Sequence, residues 1–314
     1  NGIISKAGKV EESLWVIPTS SSRTVHVDGS GVYIKLHYPG VIGRLNRKLG
    51  FQELISGIEI TSILEEAHHN NKLPAYFGYM PESYGRLLRD GQNEIGYIIR
   101  ELPETIKDYY LVPGFSLFSY DRNVPDAPQL LKQILERSNS PIEFFFEEIC
   151  FKLIDIFFWC AFEEGLIPEM HSQNVVFAFN KEWEVEKIVL RDFESIDKDI
   201  SIRRKLGKHT NFREYPYKCI SSDDKNYLKR HSFMYDHKLG EYLLDPLIGC
   251  VAPLLHINTI DARKNLKNYV REVYGNTIKN FFPPDGCWYK YPNIEIDRST
   301  NERPFISMGS AVYR

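Results

Sequence analysis

The stretch "PIEFFFEEICFKLIDIFFWCAFEEG" (141–165) constrains this chain most. It is the most apolar segment, yet Glu143, Glu147, Glu148, Lys152 and Asp155 interrupt it. A membrane span would not carry that many charges, so the segment has to be buried in protein instead. Ile142, Phe145, Phe146, Ile149, Leu153, Ile156 and Phe157 recur at helical spacing and should face a core. A polar start, an early proline and a closing glycine punctuate the helix. Such a helix needs a sizeable core, and 314 residues, 43% of them apolar, can supply one within one or two domains.

Charge narrows the partners. Thirty-nine lysines and arginines stand against 42 acids, for a net charge of −3. That balance offers no broad polyanion-binding face, so no nucleic-acid partner is expected, and any phosphate chemistry must come from a local constellation. Five widely spaced cysteines without a CxxC pair argue against a disulfide framework or a zinc site and fit a reducing cytoplasm. "NGIISKAGKV" has no apolar core and cannot be a signal peptide. A start without methionine is what an excerpt or a processed piece would show. The expectation is a soluble, cytoplasmic chain without a membrane span.

Along the chain, "RTVHV-DGSG-VYIKL" (23–36) reads as a β-hairpin around a Gly-containing turn. Residues 51–73 have helical spacing, with Leu54, Ile55, Ile58 and Ser62 on one side, and "NEIGYIIREL" (93–102) reads as a strand. Two apolar runs, Val175–Phe179 and Val185–Leu190, flank a polar turn, and residues 261–282 read as helix. Strands dominate early and helices late. The expected fold class is α+β in two lobes, with a β-rich lobe over 1–112 and a mainly helical lobe with one hairpin over 113–314.

Two hairpins carry the chemistry. If Val175–Phe179 pairs antiparallel with Val185–Leu190, the open ends bring His171, Gln173 and Asn174 beside Arg191 and Asp192. An amide oxygen and a carboxylate gathered there suit Mg²⁺, which in turn holds nucleotide phosphates. The plain alternative is a polar hairpin end with satisfied side chains. In the first hairpin, a turn at Gly29-Ser30 puts Lys35 opposite Thr24, near Ser21 and Arg23. A lysine, hydroxyls and an arginine fork together make a phosphate clamp. An ordinary exposed lysine is the alternative.

"SSSRT" followed by "YIKL", then "EMHSQN", then "RDFE" resembles the IucA/IucC family, the NRPS-independent siderophore synthetases. Lys35 lies twelve residues after Arg23 and Arg47 a further twelve on, and "IGYIIRE" (95–101) is similar to a family strand ending in Arg-Glu. The resemblance spans roughly residues 15 to 200 and corresponds to the C-terminal portion of family members, which are usually much longer. It implies a cupped-hand arrangement of fingers and palm and an ATP-dependent ligase. That enzyme would activate a citrate-like carboxylic acid as an acyl-adenylate and join it to an amine or alcohol.

Carried over, the resemblance implies that Ser21, Arg23, Thr24 and Lys35 hold ATP phosphates. Gln173, Asn174 and Asp192 would hold nucleotide, with Asn174 and Asp192 as ligands for Mg²⁺ and Glu169 as a further ligand or a group just behind them. Arg47 and His171 would bind the carboxylate and act in catalysis. The chain differs from the family at "VIGRLNR", where Gly43 replaces a threonine and Arg44 and Lys48 flank the arginine, and at "RPFISMGSAVYR", which lacks a lysine-rich ending. The resemblance leaves open a homodimer or a missing N-terminal region. Two other classes stay open: a kinase-like phosphotransferase and a ligand-binding homologue without turnover. "HSQN…RDFE" echoes kinase logic, but Gln173 stands where a catalytic aspartate belongs, and an amide cannot accept the substrate proton.

Overall fold

A computed structural model describes residues 13–21, 23–42, 45–90, 93–213, 218–291 and 304–314. Ser22, Gly43 and Arg44 lie outside them. The chain divides into two compact units, each built around its own sheet. One takes in the described parts of Asn1–Lys72, Tyr79–Lys107 and Phe212–Tyr215, and the other the remainder.

The first unit is a five-stranded antiparallel sheet with a helix on it. Strands β1 (Val16–Pro18), β2 (Thr24–Val27), β3 (Val32–Leu36), β4 (Tyr84–Asp90) and β5 (Asn93–Glu101) take the order β1-β2-β3-β5-β4. The turn joining β2 to β3 holds Gly29 at φ +70°, a left-handed conformation that glycine adopts without a Cβ penalty. This turn sets the expected register, Thr24 opposite Lys35 and His26 opposite Tyr33.

Helix α1 (Phe51–His69) packs on the sheet through Leu54, which joins Leu49 and Ile98 in a small core. Its buried face differs from the expected one. Leu54, Gly57, Ile60, Thr61, Leu64 and Ala67 are buried, Ile55 and Ile58 only half so, and Ser62 is exposed. The cause is Glu82, which is fully buried and paired with Arg100 at 2.5 Å. Its backbone N–H donates to Thr61 Oγ1 at 2.8 Å, and its side chain crowds Gly57. A buried charge pair needs close partners, and that need rotates the helix.

The second unit centres on α2, a continuous helix through Pro141–Glu143, Phe144–Phe151 and Lys152–Glu164. Phe145, Phe146, Ile149, Leu153, Ile156 and Phe157 are buried as expected, whereas Ile142 is 48% exposed. The middle stretch is wound with i→i+5 turns, so the apolar stripe shifts and the residue before it falls outside the core. Around α2 stand α3, running through Tyr227–Ser232, Phe233–Leu244 and Asp245–Leu255, and α4 (Thr259–Tyr274). Phe157 and Phe158 of α2 meet Tyr235 of α3 with ring centroids 5.0 and 5.2 Å apart, and Phe158 meets Tyr274 of α4. Offset and edge contacts of this kind add to the area they bury.

A four-stranded sheet accompanies the helices. The short strand Phe77–Tyr79 neighbours β8 (Val185–Leu190), which pairs with β7 (Val175–Phe179), which pairs with β6 (Tyr110–Pro113). All five residues of β7 are buried, as a central strand covered on both faces requires. β7 and β8 are antiparallel with Val175 opposite Leu190, so the hairpin forms as the sequence reads. Helices and separate sheets make the chain α+β. No helix among the described residues is long and apolar enough to cross a membrane.

Candidate functional site

The expected site residues fall into two groups, one in each unit. In the first unit, the loop before β2 folds onto itself. Thr19 Oγ1 donates to the Thr24 carbonyl at 2.8 Å, the Ser21 N–H donates to Thr19 Oγ1, and Thr24 Oγ1 donates to Ser21 Oγ at 3.2 Å. These bonds hold the Ser21 and Thr24 hydroxyls together beside Lys35, the cross-strand partner of Thr24. Lys35 and Thr24 are only 2% and 3% exposed. A lysine in so central a strand is held by partners, and its charge acts at short range in a low-dielectric setting.

Arg23 has a further task that the sequence did not signal. Its Nη1 donates to the carbonyls of Arg47 and Lys48, at 2.9 and 3.3 Å. The Arg47 carbonyl also accepts from the Tyr38 N–H, and the Arg47 N–H donates to the Gly40 carbonyl. Arg23 therefore anchors the segment that carries Arg47. Arg47 Nε is buried and meets no hydrogen-bond acceptor among the described residues. Leaving a buried donor unpaired costs on the order of 1–3 kcal/mol, so an acceptor that reached this N–H would be bound favourably.

In the second unit, the mouth of the β7–β8 hairpin gathers the other group. The Arg191 N–H donates to the Asn174 carbonyl at 3.1 Å, closing the hairpin end, and Arg191 Nε donates to the Gln173 carbonyl at 2.9 Å. Asn174 is buried, and its Nδ2 donates to the Glu169 carbonyl at 3.2 Å. That bond orients the amide and leaves Oδ1 as the end able to ligate. Asp192 follows directly with φ +72°, a left-handed conformation in which aspartate is enriched. Its carbonyl accepts from Ser195 Oγ at 2.8 Å, which steadies the turn beyond it.

His171 Nδ1 accepts the Gln173 N–H at 3.1 Å. A backbone N–H can only donate, so the neutral ring carries its proton on Nε2. Burial pushes this histidine below its ordinary value; Glu169 pulls it back and Lys238 opposes that pull. His171 is thus a hydrogen-bond donor through Nε2. Glu169 Oε1 lies 2.6 Å from Lys238 Nζ. Burial alone would raise Glu169, but Lys238, with His171 and Lys218, outweighs it and holds the carboxyl below its usual range.

Asn174 Oδ1 and the Asp192 carboxylate are hard oxygens that fit Mg²⁺. Glu169 already pairs with the Lys238 ammonium through Oε1. Among the described residues no three His, Cys, Asp or Glu side chains cluster as a metal site. Lys218 and Lys238 went unread in the sequence, because both lie far along the chain from "EMHSQN" and no spacing links them to it.

The model of the family described as ferric iron reductase FhuF-like transporter matches residues 143–275. No curated protein matches the chain by sequence. Among solved structures, petrobactin biosynthesis protein AsbB from Bacillus anthracis str. Sterne superposes with a TM-score of 0.73 at 15% identity, over 95% of this chain and 53% of that one. The ATP-bound aerobactin synthetase IucA from a hypervirulent pathotype of Klebsiella pneumoniae gives 0.70 at 16% identity, over 87% and 51%. Aerobactin synthetase IucC from the same source gives 0.63 at 15% identity, over 85% and 48%. The chain spans about half the length of the solved structures it matches. At such identities the likeness is one of fold, and the chain has the α+β fold of siderophore synthetases over that half.

Proposed function

We propose that this chain binds ATP and a carboxylic acid and activates the acid as an acyl-adenylate, for condensation with an amine or alcohol in siderophore biosynthesis. The observation that carries the reading is the buried, unmatched Nε of Arg47, at the position where the IucA/IucC resemblance puts the substrate carboxylate. The fold shared with an ATP-bound aerobactin synthetase supports ATP as co-substrate. Five free thiols among the described residues fit a reducing, cytoplasmic setting.

Under this reading Lys35, Thr24 and Ser21 neutralise and hydrogen-bond the phosphates, with Arg23 holding the Arg47 segment in place. Arg47 orients the acid, and His171 Nε2–H is the further donor that the resemblance assigns to it. The acid is already ionised at neutral pH, so its oxygen attacks the α-phosphorus without a strong base and pyrophosphate leaves. The amine or alcohol then attacks the acyl carbon and AMP leaves. Mg²⁺, held by Asn174 and Asp192, would supply charge screening of the phosphates. The remaining demand is for positioning and electrostatics.

The test is product analysis. With Mg²⁺ and citrate or a related acid, ATP should yield AMP and pyrophosphate, and hydroxylamine should trap the acyl group as a hydroxamate. Release of ADP and phosphate would overturn adenylation in favour of phosphotransfer. Binding of ATP and acid without turnover would make the chain a ligand-binding homologue.

A further inference from the structure

Lys238 brings a cation to the hairpin mouth from an element remote in sequence. Its Nζ lies 2.6 Å from Glu169 Oε1, and His171 Nε2 lies 3.9 Å from Glu169 Oε2. One carboxylate oxygen thus pairs with an ammonium, and an imidazole N–H stands near the other, beyond hydrogen-bond distance. Lys238 sits midway along Phe233–Leu244, the i→i+5 stretch of α3. Helix of that kind is rare and recurs at functional sites. The rings of Phe233 and Tyr242 stand 5.1 and 5.8 Å from the ammonium and restrict where it can point. Lys218 and Arg191 add positive charge around Glu169 and His171, against the carboxylates of Glu169 and Asp192. A mouth so furnished favours an anion.

Resting on the adenylation reading, we infer that Lys238 is an anion-binding residue of this site and that Glu169 is its positioning residue, not a ligand for Mg²⁺. An incoming carboxylate or phosphate oxygen meets two donors, Lys238 Nζ, which Glu169 holds in place, and His171 Nε2–H beside it. The ammonium supplies a compact charge and the imidazole a directed bond.

The test is calorimetric titration of the whole chain with citrate, with inorganic pyrophosphate and with Mn²⁺ alone. It compares wild type, Lys238→Met, Lys238→Arg and Glu169→Gln, each checked for folding by circular dichroism. Lys238→Met should weaken one of the two anions roughly ten- to a hundredfold, and the anion affected says whether the site reads the acid or the phosphates. Lys238→Arg should recover most of the loss. Glu169→Gln should weaken the same anion and leave the Kd for Mn²⁺ within about twofold of wild type.

Three results overturn the inference. One is a weakened Mn²⁺ affinity with anion binding intact in Glu169→Gln, which makes Glu169 a metal ligand. The others are wild-type binding of both anions by Lys238→Met and binding of neither anion by wild type. If Lys238→Met does not fold, Glu169→Gln and Lys238→Arg decide alone. Failure of adenylation is read separately: if wild type forms no AMP, that reading falls while the anion titrations still decide Lys238.

Discussion

Arg47 and Lys35 divide the work by the shape of their charges. A guanidinium can grip a carboxylate through two parallel bonds, whereas an ammonium is a compact charge suited to phosphate. Arg47 Nε is a buried donor without an acceptor among the described residues, so Arg47→Lys removes that atom. The KM for the acid should rise with the KM for ATP nearly unchanged, and kcat/KM should fall roughly ten- to a hundredfold. Lys35→Met, which keeps volume in a central strand, should show the mirror pattern, weakening ATP more than the acid. Steady-state kinetics in both substrates check this. An unchanged KM for the acid in an active Arg47→Lys preparation would return Arg47 to the basic surface cluster that "GRLNRK" suggests by default.

Elements differ in how much of their placement is local. The β2–β3 hairpin depends on its turn and formed in the register the sequence implies, and the apolar runs of β7 and β8 pair antiparallel as read, with a register shift between Ala178 and Phe179. Helix α1 did not follow its apolar residues alone, since Glu82 selected its buried face. Gly57 tests that account. A Cβ there would lie 2.3 Å from Glu82 Oε2 and 3.4 Å from Glu82 Cβ. Alanine improves helix propensity by about 1 kcal/mol over glycine, but overpacking against a buried, paired carboxylate costs about 1–3 kcal/mol. The clash should win. Gly57→Ala should lower the urea midpoint without changing the m-value, while Ser62→Ala on the exposed side should hold or raise it. A higher midpoint for Gly57→Ala would mean that Glu82 moves aside and does not fix the helix.

At the scale of the molecule, the second unit is tied together by polar hubs as well as by its aromatic core. Asp155 of α2 accepts from the hydroxyls of Tyr269 and Tyr274 of α4, both at 2.6 Å, and from Tyr76 at 3.3 Å. Burial, then the bond to Asp155 and its charge, raises Tyr274 well above its ordinary value of 10.0. A tyrosine raised in the folded state stabilises fully below its unfolded value. That contribution is lost as pH rises, because the unfolded chain gives up its proton first. Stability should therefore decline from about pH 10 upward. Tyr274→Phe should cost about 1 kcal/mol at neutral pH and flatten the alkaline limb, as read by urea unfolding across that range. Parallel alkaline limbs for variant and wild type would remove Tyr274 from the account.

The sequence by itself determined what repeats at short range. Gly29-Ser30 fixed Thr24 against Lys35, the two apolar runs fixed the hairpin that joins Asn174 to Asp192, and the spacing of phenylalanines and isoleucines fixed the interior of α2. Each follows from the period of a strand or helix and from one turn, which neighbouring residues alone can dictate. The tertiary structure decided which charge meets which. It set Arg23 on the carbonyls of Arg47 and Lys48, Glu82 against α1, Ile142 outside the core and Lys238 on Glu169. Those outcomes turn on desolvation and Coulomb energy between groups far apart in the chain. Both depend on which surfaces become buried together, and no local spacing carries that information.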